Sequence, residues 1–376
     1  MKLTSQKHNF IVLRYQYSVC ELQRLLECRR LAVCRKKKPE LVKNFIMSGE
    51  SAKTEPVLAF GVIADLHYAD KEDGQNYRKT ATRYYRRALQ HLKNMLETWE
   101  SDTLCKPAFV LQLGDAIDGV NKSMEASESA LQRVLAEMKS FSGTWYHIWG
   151  NHEFYNFTRE FLMKSSLFSG NELQCSVMPG NAYYAIEPHP QLRILSLDTY
   201  EISLLGYPEE APQYQTALKI MSINPNEDQN SPIGLEYEDL MFVKYNGGLD
   251  MGQLNWLETN LQEAIVKKQN ILVIGHIPLH PNSTDMTCLC WNYQEVLSVL
   301  QQYASCVLCY MAGHDHTGGS AIDSAGILHL TLNGVIENKK ECDAATVYLY
   351  QDKLEIVGNG RVRNYSVGLK FPLAKN

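Results

Sequence analysis

The chain has 376 residues, of which 45% are hydrophobic and 21% are charged, and its formal net charge is −5 at pH 7. This length and composition predict a globular protein with a sizeable core, and they exclude collagen-like and wholly disordered chains. The charge is uneven, because residues 1–50 hold 11 basic and 4 acidic side chains whereas the remainder holds 26 and 38. An acidic body argues against nucleic acid as the partner, since phosphate backbones are bound by clustered lysine and arginine.

The ten cysteines come without a secretory signal, so we expect buried free thiols rather than a disulfide framework. No stretch reaches the ~20 apolar residues that a membrane span requires. The apolar patches between residues 9 and 34 are interrupted by charged side chains, which is typical of neither a signal peptide nor a span. We therefore expect a cytoplasmic protein with no membrane partner, and we expect a monomer.

Residues 1–54 are predicted to be a basic, flexible extension of the fold. Their run Arg35-Lys36-Lys37-Lys38 is a solvated charge block, and an organelle presequence is the alternative interpretation. A third interpretation is an upstream start, because the sequence beginning at Met47 would make an ordinary N-terminus. A single domain is predicted over residues 55–370.

That domain opens with strands and helices in alternation. Strands are predicted over 57–64, 108–113 and 144–149, and helices over 77–100 and 123–139. The first helix has a stripe of apolar side chains at the spacing of one buried face. Strands joined by crossover helices are typical of a parallel or mixed sheet.

The middle of the chain is less regular. Short strands are predicted at 183–186 and 193–197, but proline and asparagine dominate residues 207–233, where a helix is expected only near 214–221. We interpret residues 199–248 as an irregular insert, either a lid or a specificity element. The regular pattern then resumes with helices over 252–268 and 291–303 and strands over 271–274 and 306–311. Three tail segments, 327–332, 345–350 and 354–357, alternate like antiparallel strands.

Five of the predicted strands end in loops that carry metal-binding side chains. In chain order the loops contain Asp65-Leu66-His67, Gly114-Asp115, Gly150-Asn151-His152-Glu153, Gly275-His276 and Gly313-His314-Asp315-His316. Because the carboxyl ends of neighbouring strands meet at one edge of a sheet, we expect these side chains to converge. Imidazole, carboxylate and amide donors without thiolate suit Mn²⁺, Fe or Zn²⁺. There are too many for one ion, so the pattern predicts two ions that share a carboxylate.

The ordered set of five motifs resembles that of the calcineurin-like metallophosphoesterases. The resemblance implies an α/β fold, a four-layer α/β/β/α sandwich of two mixed sheets flanked by helices, with a dinuclear metal site at the sheet edges. It implies that one metal is held by Asp65, His67, Asp115 and His316, and the other by Asp115, Asn151, His276 and His314. His152 matches the family's catalytic histidine, which as an imidazolium would stabilise the departing phosphate oxygen.

Two further carboxylates accompany these loops. Glu153 follows the third motif, where it either orients His152 or serves as the acidic residue of a helix N-terminus. Asp118 is expected to hydrogen-bond loop backbone rather than to bind metal.

Within the superfamily, protein Ser/Thr phosphatases carry an arginine after the second Asp of Gly-Asp-x-x-Asp, and this chain has Gly119 there. Over about residues 57–365 it is more similar to the manganese-dependent ADP-ribose/CDP-alcohol diphosphatases. The stretches that carry this similarity include 60–65, 149–157, 246–248 and 291–293. His67 stands where some members carry Gln, which leaves the metal preference open.

This resemblance implies two Mn²⁺ ions, with Zn²⁺ or Fe as alternatives, and small nucleotides as substrates. The implied reaction splits the pyrophosphate of ADP-ribose, CDP-choline, CDP-ethanolamine or CDP-glycerol into a nucleoside monophosphate and a phosphorylated ribose or alcohol. A phosphomonoesterase, a cyclic-nucleotide phosphodiesterase and a non-catalytic scaffold of the same fold are the alternatives. Aromatic candidates for stacking on the base, for which core packing is an equal interpretation, are Tyr68, Tyr77, Tyr155, Trp291 and Tyr293.

Overall fold

The computed structural model describes residues 55–171, 175–177 and 180–374, so the prediction for residues 1–54 lies outside the described residues. The longer strands of the first half are β1 (Leu58–Ile63), β4 (Phe109–Gln112), β5 (Thr144–His147), β7 (Tyr184–His189) and β8 (Leu192–Ser196), with short strands β2 (Gly74–Gln75), β3 (Thr82–Arg83) and β6 (Cys175–Val177). The second half contributes β9 (Asn270–Ile274), β10 (Val307–Ala312), β11 (Gly319–Ile322), β12 (Leu328–Thr331), β13 (Ala344–Leu349), β14 (Lys353–Asn359) and β15 (Tyr365–Gly368).

The α-helices flank these strands and several open next to the strand-end loops. They are α1 (Tyr85–Glu100), α2 (Val120–Ser123), α3 (Ser127–Met138), α4 (Asn151–Asn156), α5 (Arg159–Lys164), α6 (Pro212–Met221), α7 (Met251–Lys267) and α8 (Tyr293–Gln302). Within the described ranges, none of them combines the length and the apolarity that crossing a membrane requires.

Two large mixed sheets form the body. The first has the order β15-β14-β13-β1-β4-β5, and the second has the order β11-β12-β10-β9-β8-β7-β6. In the first, β1, β4 and β5 run parallel. In the second, β8, β9, β10 and β12 run parallel. The carboxyl ends of β1, β4, β5, β9 and β10 are therefore the strand ends that deliver the five loops.

Side chains alternate along each central strand between two cores. On β1, Phe60 and Val62 belong to the apolar layer between the sheets, where they join Leu272 and Met311 of the second sheet. Ile63 instead joins the core under the helices, with Leu96 of α1. Helices thus cover the outer face of each sheet while the inner faces pack on each other, which confirms the predicted α/β/β/α sandwich.

The first helix starts later than predicted, at Tyr85 rather than near Tyr77. The preceding residues form the β2–β3 hairpin, whose turn is closed by the Asn76 side-chain oxygen accepting the N–H of Thr80 at 2.9 Å. An asparagine that bonds the backbone of its own turn competes with helix formation. The second predicted helix, 123–139, likewise starts later, as α3 at Ser127, because Glu125 takes a left-handed conformation with φ 54° and separates α3 from the short α2 before it.

The tail strands pair antiparallel as predicted, with one parallel pairing in addition. β13 and β14 pair antiparallel in the first sheet, as expected. β12 lies in the second sheet, where it pairs antiparallel with β11 on one side and parallel with β10 on the other. The alternation of side chains is the same in parallel and antiparallel strands, so the pattern alone could not assign the direction.

The predicted insert, 199–248, contains α6, a 3₁₀ helix (Tyr237–Asp239) and an isolated bridge between Ile202 and Gly248, and otherwise consists of turns and loops. Its chain path is fixed by the buried Asn224, whose amide nitrogen lies within hydrogen-bond distance of the carbonyl oxygens of Gln229, Ser231 and Phe242. A small apolar cluster holds it to the domain, with Ile202 and Met221 packed against Trp291. The insert is irregular in secondary structure and nevertheless ordered by side-chain hydrogen bonds.

Candidate metal centre

The five predicted loops meet at one edge of the two sheets. Three groups of side chains there have donor atoms within 4.8 Å of one another: Asp65, His67 and His316; His67, Asp115 and His152; and Asp115, His276 and His314. The structure thus brings together every carboxylate and imidazole of the predicted site, although they span residues 65 to 316. The remaining predicted ligand, Asn151, opens α4 at the same edge, and its side-chain oxygen accepts the hydroxyl of Tyr200 at 3.2 Å.

Asp115 lies between the two outer groups. Its Oδ2 atom is 3.3 Å from Nε2 of His67 and 3.4 Å from Nε2 of His276. Its other oxygen accepts the backbone N–H of His152 at 2.8 Å. One carboxylate oxygen therefore faces imidazoles of both groups, which is the placement that a shared ligand needs.

Two of the histidines are oriented by carboxylates behind them. Nδ1 of His67 lies 3.1 Å from Oδ2 of Asp118, and Nδ1 of His316 lies 3.0 Å from Oε1 of Glu337. A carboxylate accepts only, so each Nδ1 carries the proton and each Nε2 presents a lone pair. These two Nε2 atoms face each other at 3.0 Å.

The other two histidines are held by neutral oxygens. Nδ1 of His276 donates to the carbonyl of Leu113 at 2.7 Å, and Nε2 of His314 donates to the Asn246 side-chain oxygen at 2.7 Å. The orientation of Asn246 is fixed because its amide nitrogen donates to two backbone carbonyls. The remaining nitrogens, Nε2 of His276 and Nδ1 of His314, lie 3.2 Å apart.

These facing nitrogens test whether the residues fit a metal pair. In each histidine pair the second nitrogen is engaged as a donor elsewhere, so two lone pairs point at one another across about 3 Å. That arrangement is repulsive unless a metal ion or an additional proton lies between the two nitrogens. With buried carboxylates next to each pair, the donor set fits two divalent transition-metal ions.

Backbone strain is concentrated at the same residues. Four candidate ligands have left-handed backbones, with φ 55° at Asp65, 47° at His67, 56° at Asp115 and 71° at His314. Such conformations are rare for residues with a Cβ atom and are costly, and they occur preferentially at functional sites. Glycine at position 150 allows the backbone to approach the Asp115 carboxylate closely, since a Cβ atom there would lie 2.1 Å from Oδ1 of Asp115.

The buried charges favour positive charge in the site. Burial alone would raise the pKa of the Asp115 carboxyl, but His276, His152 and His67 hold that pKa well below its usual value. Burial likewise opposes protonation of His276, but the charge and hydrogen bond of Asp115 raise the pKa of this imidazole to about 9. A carboxylate that stays ionised while buried is suited to a cation ligand.

His152 lies beside the first group with its ring held by backbone. Its Nδ1 accepts the N–H of Gly119 at 2.7 Å, so in the neutral ring the proton is on Nε2. This differs from the imidazolium that we expected, because an imidazolium has no acceptor for that N–H. Gly119 is also sterically required, since a Cβ atom there would lie 2.7 Å from the ring of Tyr155.

Glu153 does not orient His152 by a side-chain hydrogen bond. Its carboxylate is 1% exposed and accepts three backbone N–H groups, from Asp115 at 2.8 Å, Ala116 at 2.7 Å and Gly150 at 2.7 Å. The bond to Gly150 is the capping interaction of a helix N-terminus, as one of the two interpretations predicted. The other two bonds fasten the Asp115 loop to α4.

Asp118 accepts the backbone N–H of Val120 at 2.8 Å, as predicted, and its second oxygen also supports His67. The same oxygen accepts from the guanidinium of Arg83 at 2.7 Å. Arg83, Asn246 and Glu337 were not among the predicted site residues. Asn246 could have been identified in the sequence by its position before two glycines. Arg83 and Glu337 lie on segments without a strand-end motif, so no sequence pattern marks them.

The predicted substrate-contacting aromatics are in different environments. Tyr68 and Trp291 are 3% and 5% exposed and pack in the cores, so neither offers a free ring face in this structure. Tyr293 is half-buried against the same cores. Tyr155 packs edge-on against His152 with ring centroids 5.0 Å apart. Tyr77 is 71% exposed on the β2–β3 hairpin, where its hydroxyl donates to Asp228 of the insert at 2.9 Å.

Comparison with known proteins agrees with this geometry. Residues 58–318 match the model of the calcineurin-like phosphoesterase family. A manganese-dependent ADP-ribose/CDP-alcohol diphosphatase of Xenopus tropicalis is 44% identical over 335 residues, which cover 85% of this chain and 97% of that protein. The human protein of the same name is 41% identical over 321 residues, covering 83% of this chain and 93% of its own length.

A solved structure supports the fold independently. The crystal structure of a dimetal phosphatase from Danio rerio is 40% identical and superimposes with a TM-score of 0.79, covering 84% of this chain and all of that one. The relatives are matched over nearly their whole length, and the matched region contains all five ligand-bearing loops. The chain therefore belongs to the calcineurin-like phosphoesterase family, among the manganese-dependent ADP-ribose/CDP-alcohol diphosphatases.

Proposed function

We propose that the protein hydrolyses the pyrophosphate bond of ADP-ribose and of CDP-alcohols such as CDP-choline, CDP-ethanolamine and CDP-glycerol. The products are a nucleoside monophosphate and a phosphorylated ribose or alcohol. The observation that carries the proposal is the pair of facing imidazoles on each side of Asp115, found in a chain 38–44% identical to eight proteins named for this activity.

The site is proposed to bind two divalent ions, with Mn²⁺ as the preferred metal and Zn²⁺ or Fe as alternatives. Asp65, His67 and His316 would hold one ion, and Asn151, His276 and His314 the other, with Asp115 shared between them. When bound, such ions lower the pKa of water and neutralise charge on the phosphoryl oxygens. The protein's own contribution is the fixed orientation of each ligand described above.

His152 is the proposed hydrogen-bond donor to the leaving phosphate oxygen. Its Nε2 carries the proton because the N–H of Gly119 occupies Nδ1. The backbone N–H of His152 donates to Oδ1 of Asp115, which fixes the position of His152 relative to the shared ligand. Loss of a preorganised hydrogen-bond donor to a developing negative charge typically lowers the rate by about 10²–10³-fold.

The test is hydrolysis of ADP-ribose and CDP-choline with Mn²⁺, with separation of the products. AMP with ribose 5-phosphate, and CMP with phosphocholine, are the expected products, and chelation of Mn²⁺ should abolish both reactions. The variant His152→Ala should lose most of the activity, whereas His189→Ala, which alters a half-buried histidine on β7, should keep it. Turnover of 2′,3′-cAMP or a phosphomonoester without turnover of either pyrophosphate would contradict the proposal in favour of the same-fold alternatives.

Further parts of the proposal concern the location, oligomeric state, substrates and domain organisation of the enzyme. We propose a cytoplasmic monomer that acts on small nucleotides and not on nucleic acid, with one catalytic domain over residues 55–370. The acidic composition of the body supports this, as do the free thiols of Cys105, Cys288, Cys290, Cys306, Cys309 and Cys342. Gel filtration with light scattering tests the monomer.

A further inference from the structure

Tyr200, at the start of the insert, is fully buried beside the candidate metal centre. Its hydroxyl lies 3.2 Å from Oδ1 of Asn151, to which it donates, and 3.1 Å from the carbonyl oxygen of Tyr245. Its ring packs against the imidazole of His276, with centroids 6.0 Å apart. Tyr200 therefore touches two of the three candidate ligands Asn151, His276 and His314, which we call the second group; the ion proposed there is the second ion.

The third member of the second group, His314, is reached from the other end of the insert. The ring of Tyr245 packs on His314 with centroids 5.7 Å apart, and the side-chain oxygen of Asn246 accepts the proton of His314 Nε2 at 2.7 Å. The hydroxyl of Tyr200 lies within hydrogen-bond distance of the Tyr245 carbonyl, so it links the two ends of the insert. Both ends of the insert thus pack on the second group.

The backbone of Tyr200 is fixed on both sides of the residue. Its N–H donates to Oδ1 of Asp198 at 3.1 Å, and its carbonyl accepts Nη2 of Arg159 at 2.8 Å. Arg159 and Asp198 also form an ion pair at 2.5 Å. Arg159 opens α5, shortly after α4, the helix that begins at Asn151. The ring of Tyr200 is therefore held against the second group by bonds to the segment that carries one of its members.

The side chain of Asn151 needs such a partner to act as a ligand. An asparagine amide can present either its oxygen or its NH₂ group, and only the oxygen binds a cation. The torsion that exchanges them has a broad distribution, so it is set by hydrogen bonds. The hydroxyl of Tyr200 donates to Oδ1 here, and an amide oxygen has two acceptor sites, so one remains available for an ion.

The two sides of the centre are supported by different chemistry. His67 and His316 are backed by carboxylates, which make an imidazole a more basic ligand. The members of the second group are held by neutral oxygens, from the carbonyl of Leu113, the side chain of Asn246 and the hydroxyl of Tyr200. Removal of one neutral hydroxyl alters orientation without adding a charge, so its effect should be confined to one ion.

We propose that Tyr200 is a positioning residue for the second ion, with its hydroxyl orienting the Asn151 oxygen and its ring fixing the His276 imidazole. This role rests on the proposed function, which requires two ions. It gives the insert a task that differs from that of a lid or a specificity element, because the residue at its start supports a metal ligand.

The test is calorimetric titration of the metal-free, full-length protein with Mn²⁺. In Tyr200→Phe, which keeps the ring, the Kd of one ion should rise about tenfold and that of the other should stay within about twofold. The same substitution should have no further effect in an Asn151→Ala background, because the hydroxyl acts through that side chain. Tyr184→Phe is the matched control and should leave both Kd values unaltered, since its similarly buried hydroxyl donates to the carbonyl of His147 at 2.9 Å.

Melting temperatures of the metal-free variants separate positioning from a general loss of stability. Tyr200→Phe and Tyr184→Phe should each lower the melting temperature by about 1–4 °C, since each removes one buried hydrogen bond, but only Tyr200→Phe should weaken Mn²⁺ binding. Unchanged Mn²⁺ affinity in Tyr200→Phe, or an equal loss of affinity in the Asn151→Ala background, would overturn the role of Tyr200. Two bound Mn²⁺ ions in an unaltered protein that hydrolyses neither ADP-ribose nor CDP-choline would instead refute the proposed function.

Discussion

Glu153 offers the sharpest test of how the site is held together. Its two oxygens accept the N–H groups of Asp115, Ala116 and Gly150 within 2.8 Å, and the side chain is 1% exposed. In Glu153→Gln the amide oxygen can replace Oε2, which accepts two of these bonds, but the amide nitrogen then opposes the N–H of Ala116. Two buried donors are left facing each other, in the place of one hydrogen bond.

The magnitude follows from the cost of buried unsatisfied groups, about 1–3 kcal/mol each. We expect Glu153→Gln to lower the free energy of unfolding by about 2–4 kcal/mol. Glu153→Ala leaves three N–H groups without an acceptor and should cost more. Because two of the bonds hold the loop of Asp115, whose φ is 56°, the glutamine variant should also bind Mn²⁺ more weakly.

The assay is urea unfolding of the metal-free protein, followed by calorimetric titration with Mn²⁺. Glu160→Gln is the matched control, because its carboxylate is 79% exposed in an ion pair with Lys164 and should contribute less than about 1 kcal/mol. A glutamine variant at position 153 with the unfolding free energy and Mn²⁺ affinity of the unaltered protein would refute the reasoning.

Three further predictions concern metal binding, pH and packing. Asp115→Asn should weaken the binding of both metal ions, whereas His67→Ala should chiefly weaken the binding of one. Elemental analysis after Mn²⁺ loading should therefore find clearly less metal in Asp115→Asn than in His67→Ala. Equal stoichiometry in the two variants would contradict a shared ligand. Burial, and then the nearby Asp198 charge, raise the pKa of Glu201 to about 7, so the folded state holds this proton more tightly than the unfolded state does. The resulting stability is present below about pH 4.5 and is lost as pH rises through 7, by roughly 3 kcal/mol. Glu201→Gln should remove that loss, which urea unfolding at pH 5 and pH 8 measures; identical pH slopes would disprove it. Gly61→Ala should destabilise the domain by about 1–3 kcal/mol, because the new Cβ atom would lie 2.7 Å from the Trp99 ring, and an unchanged melting temperature would count against this close packing.

Much of the candidate site could be predicted from sequence because each ligand directly follows a buried strand. Asp65 and Asp115 stand at the ends of apolar runs, and parallel strands place such ends at a common edge. The same argument applied to His276 and His314 in the second sheet. Recognition of the ordered motifs then supplied the fold, which composition and periodicity alone had narrowed only to a mixed α/β class.

What could not be predicted depends on contacts between segments distant in sequence. Glu337 supports His316 from a short 3₁₀ turn, and Arg83 reaches Asp118 from a two-residue strand. Neither segment has a periodic pattern that would mark it. The start of α1 was placed too early for a related reason, since the local bonds of Asn76 override the helical propensity of the residues around it.

The division of the ligands between the two sheets has a mechanical consequence. Asp65, Asp115 and Asn151 follow strands of the first sheet, whereas His276, His314 and His316 follow strands of the second. A bound metal pair would cross-link the two sheets and close a loop of some 250 residues from Asp65 to His316. Because the unfolded chain cannot assemble this set, metal affinity adds to the stability of the whole domain, and the loaded protein should resist proteolysis far longer than the metal-free form.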